Sequence, residues 1–111
     1  MPSKQVDQVL RTIAENLVLA RSFLAGMSFE TFAGDRRTAY AVTRCLEIVS
    51  ETTRRLPDDL KLRHPSVPWS RIAGAGNIFR HDYEDVLPEI LWNTVQHQLG
   101  DLEAAVAKEL E

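Results

Sequence analysis

Asn77, Arg80, His81 and Tyr83 bring an amide, a guanidinium, an imidazole and a phenol together inside an otherwise apolar stretch, Trp69 to Trp92. If that stretch is helical up to about His81, Asn77 and His81 stand one turn apart and share a face. Arg80 precedes Tyr83 by three residues and reaches the same mouth. An unperturbed imidazole titrates near the working pH, so His81 is a candidate general acid or base. Arg80 is suited to hold a phosphate and to offset the charge that grows on it in a transition state. Asn77 is placed to orient the imidazole, and Tyr83 to donate to a phosphate or to accept a modification. Together these groups suit cleavage of RNA by attack of its own 2′-hydroxyl, chemistry that needs acid–base groups and an anion clamp but no metal. Spacing alone also allows a plainer reading, and favours it: His81 ends a helix and Arg80 pairs with Glu84 on the surface.

Other chemistry finds little support. His64, His81 and His97 are scattered and come with no carboxylate-rich motif, so no metal site is expected. The GAGN run at Gly74–Asn77 follows no strand and is not a phosphate loop, and no cofactor is expected. Nothing beyond composition supports a Ser-His-Asp arrangement. Arg36-Arg37 and Arg54-Arg55 read as solvated helix ends, and Trp69 and Trp92 as core or interface residues.

The elements that must position these groups follow from apolar periodicity. Ser3 caps a first helix with a stripe at Val6, Leu10, Ile13, Leu17, Ala20 and Leu24, which Gly26 ends. Phe29 and Phe32 lie in a short turn, available to plug the end of a bundle. Asp35 caps a second long helix with a stripe at Ala39, Val42, Leu46, Val49, Thr53 and Leu56, stopped by Pro57. The segment from Pro57 to Pro68 reads as a solvated connector holding one helical turn around Leu60 and Leu62. Ser66 and Pro68 open a third helix, anchored through Ile72, Ala75 and Phe79. Gly74 and Gly76 weaken its middle by about 1 kcal/mol each relative to alanine, which points to close approach of another helix or of a phosphate. Asp85 and Pro88 begin a fourth helix, with a stripe at Leu91, Val95, Leu99, Leu102, Val106 and Leu110 and one weak point at Gly100. No strand-like alternation occurs. The expected fold is all-α, an antiparallel four-helix up-and-down bundle with a short extra helical turn, formed by residues 1–111 as one domain.

Composition agrees. The chain has 111 residues, 44% of them hydrophobic and 26% charged, enough for one core and unlike a disordered segment. A net charge of −3 argues against non-specific coating of nucleic acid but leaves room for a local basic mouth. The single cysteine, Cys45, sits among Val42, Leu46 and Val49 and reads as a buried small hydrophobe in a reducing compartment. No apolar run is long enough to span a bilayer and no signal peptide is evident, so a cytoplasmic protein is expected.

From FETFAGDRRTAYAVTRCLEIVSE (Phe29 to Glu51) through PWSRIAGAGNIFRHDY to LPEILW, nearly the whole chain resembles the HepT-like members of the HEPN superfamily. The run IAGAGNIFRHDYEDV is the most specific part. The resemblance implies a four-helix fold, a homodimer and a metal-independent endoribonuclease toxin. It also implies a partner, an MntA-type nucleotidyltransferase antitoxin that uses ATP to place AMP on the motif tyrosine. The family motif is an arginine, a polar residue, spacers and His-x-Tyr. Asn77, His81 and Tyr83 fall on its polar, histidine and tyrosine positions, while Gly76 stands where the arginine is expected. Arg80, one turn further along the same face, is expected to take over phosphate binding. The alternative is a catalytically inactive helical dimer that retains only partner binding.

Overall fold

The computed structural model describes residues 3–81 and 88–111, the side chains of Arg80 and His81 excepted. Within them the chain is all-helical, in seven segments: α1 (Lys4–Leu24), α2 (Phe29–Ala33), α3 (Arg36–Thr53), α4 (Asp58–Leu62), α5 (Trp69–His81), α6 (Pro88–His97) and α7 (Gly100–Glu109).

Local signals set the boundaries of the long helices. The Ser3 hydroxyl accepts from the Val6 amide at 3.1 Å and satisfies one of the open donors at the start of α1. Gly26 closes that helix with φ +79°, a left-handed conformation that costs an L-residue about 1–2 kcal/mol. Asp35 caps α3 doubly, taking the Thr38 amide at 3.1 Å and the Thr38 hydroxyl at 2.8 Å. These bonds to the ionised form hold its carboxyl below the usual aspartate range.

The expected stripes form the core. Leu10, Ile13, Leu17, Ala20 and Leu24 of α1 are buried against Val42, Cys45, Leu46 and Val49 of α3. Burial raises the Cys45 thiol pKa, as fits a packing residue. α3 packs on α1 and on α5, and α7 closes over α1. Phe32 is fully buried, and with Phe29 it meets the Trp92 ring at centroid distances of 5.6 and 5.8 Å.

Two expectations change. The fourth helix is broken: α6 ends at His97 and α7 begins at Gly100, although Leu91, Val95, Leu99, Leu102 and Val106 remain one buried row. Glycine supplies little helical preference at that point, so tertiary packing carries the stripe across the break. Asp85, expected at the start of this helix, lies outside the described residues.

The connector, in turn, is fastened rather than simply solvated. Leu60 and Val67 are buried, whereas Leu62 stays exposed. Arg63 forks onto the Glu109 carboxylate at 2.7 and 3.1 Å, and His64 Nε2 meets the same carboxylate at 2.7 Å. The Trp69 indole N–H donates to the carbonyls of Lys61 and His64, both at 3.1 Å, which locks the connector to the start of α5. Across the molecule, Arg21 makes a second fork, onto Glu103, with both bonds at 2.6 Å.

The Arg63 and His64 bonds pull the Glu109 pKa from 4.5 down to about 2. A carboxylate whose pKa is lower folded than unfolded stabilises the fold above its unfolded value and loses that stabilisation as pH falls toward the folded one. Glu109→Gln is therefore expected to lower Tm by a few degrees at pH 7 and to match the parent increasingly between pH 4.5 and about 2. Thermal melts by circular dichroism across that range check it.

Candidate functional site

The site-bearing helix is anchored as its sequence suggests. Phe79 is buried, and Ile72 and Ala75 pack half-buried against the core. The opposite side of α5 carries Gly74, Asn77 and Ile78, all exposed. Asn77, the expected positioning amide, thus stands on the open side of its helix and is engaged in a polar contact. The helix runs through Arg80 and His81. Register alone puts His81 one turn beyond Asn77 and Arg80 one turn beyond Gly76. Tyr83 lies outside the described residues.

What the sequence did not announce is how this helix is fixed to its neighbour. Ser50 of α3 is 2% exposed, and its hydroxyl reaches the backbone of α5. It donates to the Ala73 carbonyl at 3.0 Å and accepts from the Gly76 amide at 2.9 Å. Arg54, at the end of α3, sends Nη2 to the same Ala73 carbonyl at 2.6 Å. One carbonyl thereby takes a neutral and a charged donor, and the turn that leads into Asn77 is held from outside the helix.

The two glycines separate in role. Gly76 is buried and serves close approach of α3, one of the two reasons that its sequence context offered. Gly74 is exposed, and a Cβ added there would meet nothing within 4 Å, so packing does not require it. Ser50 and Arg54 are the site-supporting residues that sequence reasoning missed. The available signal was a lone serine on the core side of α3, between Val49 and Thr53. Among the described residues, no three of His, Cys, Asp and Glu are grouped to hold a metal.

Among the described residues the protein is all-helical, and Asn77 stands on the exposed side of a helix whose other side packs on the core. The chain belongs to the ribonuclease HepT-like family, whose model matches residues 13–109. It is 35% identical over 99 residues to a protein of Thermococcus cleftensis named "Probable ribonuclease HepT", covering 89% of this chain and 90% of that one. It is 33% identical to a "Putative RNase" of Methanocaldococcus jannaschii, over all of this chain and 94% of the relative. A "Putative RNase" of Caldanaerobacter subterraneus is 36% identical, over 78% of this chain and 77% of its own length. No solved structure matches the chain at a significant level.

Removing the Ser50 hydroxyl breaks both of its buried bonds to the backbone of α5, a loss of about 1–3 kcal/mol. Ser50→Ala is expected to destabilise the protein by that amount in urea denaturation, and to speed amide hydrogen exchange at Gly76 more than at Leu17 in α1. Equal protection at Gly76 in both proteins would show that the bridge does not hold α5.

Proposed function

We propose that this protein is a metal-independent endoribonuclease of HepT type, the toxin of a toxin–antitoxin pair. Its fold in this reading is the HEPN-like four-helix bundle, with α6 and α7 together serving as one broken helix. The observation that carries the reading is family membership over residues 13–109 combined with the Asn77-x3-His81-x-Tyr83 pattern at the end of α5. His81 acts as the acid–base group, Arg80 as the phosphate clamp and Asn77 as the positioning amide. The RNA 2′-hydroxyl gives up its proton and attacks the adjacent phosphorus. The 5′-oxygen leaves and takes up a proton, giving a 2′,3′-cyclic phosphate and a 5′-hydroxyl end.

Two copies facing one strand would bring two sets of these groups to a shared cleft and double its local positive charge. Ile78 on α5 and Ile90 on α6, 55% and 47% exposed, are candidate contact residues of such a homodimer. The protein works in the cytoplasm, where its RNA is. An MntA-type nucleotidyltransferase would silence it by moving AMP from ATP to the Tyr83 phenol, with pyrophosphate leaving; the added bulk and negative charge would sit two residues from His81.

A specific observation favours a second reading, a catalytically inactive dimer that binds the nucleotidyltransferase. Position 76, where the family places an arginine, is a buried glycine bonded to Ser50.

Incubation with unstructured RNA in EDTA separates the two. The parent is expected to cleave, His81→Ala to lose about 10²–10⁴-fold in rate, and Arg80→Gln about 10²–10³-fold. Parent activity no higher than the His81→Ala background would establish the inactive reading. Co-expression with a nucleotidyltransferase of this type is expected to add the mass of AMP to the peptide containing Tyr83, and Tyr83→Phe to abolish the addition. The same mass on another residue removes Tyr83 from the account.

A further inference from the structure

The solvent face of α3 stands out in a chain of net charge −3. At 100° per residue, Arg36, Arg37, Tyr40 and Arg44 fall on one side of that helix, and Arg54 and Arg55 follow in the turn at its C-terminal end. With two carboxylates of the same side, Glu47 and Glu51, the face and its end carry five positive charges against two negative. Glu47 is largely covered, its side chain 17% exposed, and it meets Arg44 only at 3.8 Å, a weak pair at the surface.

Tyr40 is the unusual member. Tyr40, in the second turn of α3, is 61% exposed and lies outside the buried core. The Arg36 guanidinium donates to its hydroxyl at 3.0 Å, and its central carbon lies 5.8 Å from the ring centroid. The cation therefore lies loosely over one face of the ring, near the outer limit of a cation–π contact. It holds the ring in place and leaves the opposite face for a ligand. An aromatic plane flanked by cations one turn to either side is the pattern that takes a stacked base and its adjoining phosphates.

The face also leads somewhere. α3 has 18 residues and runs roughly 27 Å, from Arg36 to Arg54 at its far end. Arg54 is the residue whose guanidinium bonds Ala73 of α5, one turn before Asn77. The strip therefore joins an exposed stacking ring to the helix that bears the motif.

We propose that this face of α3 is a binding track for single-stranded RNA, with Tyr40 stacking a base and Arg36, Arg37 and Arg44 holding phosphates as the strand passes toward α5. The proposal rests on the ribonuclease reading for its substrate class, and it revises the two arginine pairs from solvated helix ends to the two ends of a track. Duplex RNA fits it poorly, because paired bases cannot turn a face to the ring.

Binding is measured by fluorescence anisotropy with a labelled, unstructured oligoribonucleotide of about 12 nucleotides, a length within the usual site sizes of such grooves. His81→Ala serves as the background so that cleavage does not intervene, and circular dichroism confirms that each variant is folded. Adding Tyr40→Ala is expected to weaken binding roughly 5- to 100-fold, whereas Tyr40→Phe retains it. Arg44→Gln should flatten the slope of log affinity against log salt by about 0.7, one phosphate contact on a single strand. A duplex of the same sequence should bind more weakly and be indifferent to Tyr40. Cleavage of the same RNA is followed in the proteins that keep His81.

If those proteins cleave and the Tyr40→Ala and Arg44→Gln variants bind and cleave like their parents, the track is wrong and the nuclease stands. If binding depends on Tyr40 but no metal-free cleavage occurs, the track stands and the nuclease reading falls. Absence of binding to the single strand, or equal Tyr40-independent binding of strand and duplex, overturns the track.

Discussion

The seating of α5 against α3 turns on a single buried hydroxyl. Ser50 is enclosed between α3 and α5 with both hydrogen-bonding roles filled, its proton on the Ala73 carbonyl and its oxygen taking the Gly76 amide. In a medium of low polarity such an arrangement is strong when complete and costly when half made, so it selects one relative placement of the two helices. Apolar packing would tolerate sliding of α5 along α3; two directional bonds to adjacent turns do not. The exposed groups on the far side of α5 inherit their position from this contact, and Arg54 reinforces it from the rim.

Charge is distributed with the same economy. The acidic excess of the chain is partly spent internally: Glu109 fastens the connector through Arg63 and His64, and Glu103 holds α7 to α1 through Arg21. Forked, partly covered carboxylates of this kind are structural, which leaves the outer side of α3 as a surface of the opposite sign. A net charge of −3 therefore describes the sum and not the face that an anionic polymer would meet.

The helices were legible because their signals are local. Ser3 and Asp35 cap where their side chains can reach an amide three residues on, Gly26 stops a helix because a positive φ suits it, and three-and-four spacing names the buried rows. The break at Gly100 was less so, because one glycine weakens a helix without dictating whether it breaks, and long-range packing decides. The connector looked solvated because its charges are many, yet their partner, Glu109, lies more than forty residues away. The same limit applies to the site. Asn77 could be assigned to an open helix face from periodicity, while the bonds from Ser50 and Arg54 join residues about twenty or more positions apart and have no sequence period. The glycines showed an intermediate case: their cost was visible, but only contact with α3 distinguishes buried Gly76 from exposed Gly74.

Gly76 also constrains the site. A long charged side chain at that position would have to be accommodated where α5 lies against α3, beside a serine whose hydrogen bonds are already committed. Overpacking and a disrupted polar pair would act together against it. Positions 50 and 76 are thus coupled through one contact: an arginine at 76 would call for a change at 50 or for a loosened seam between α3 and α5.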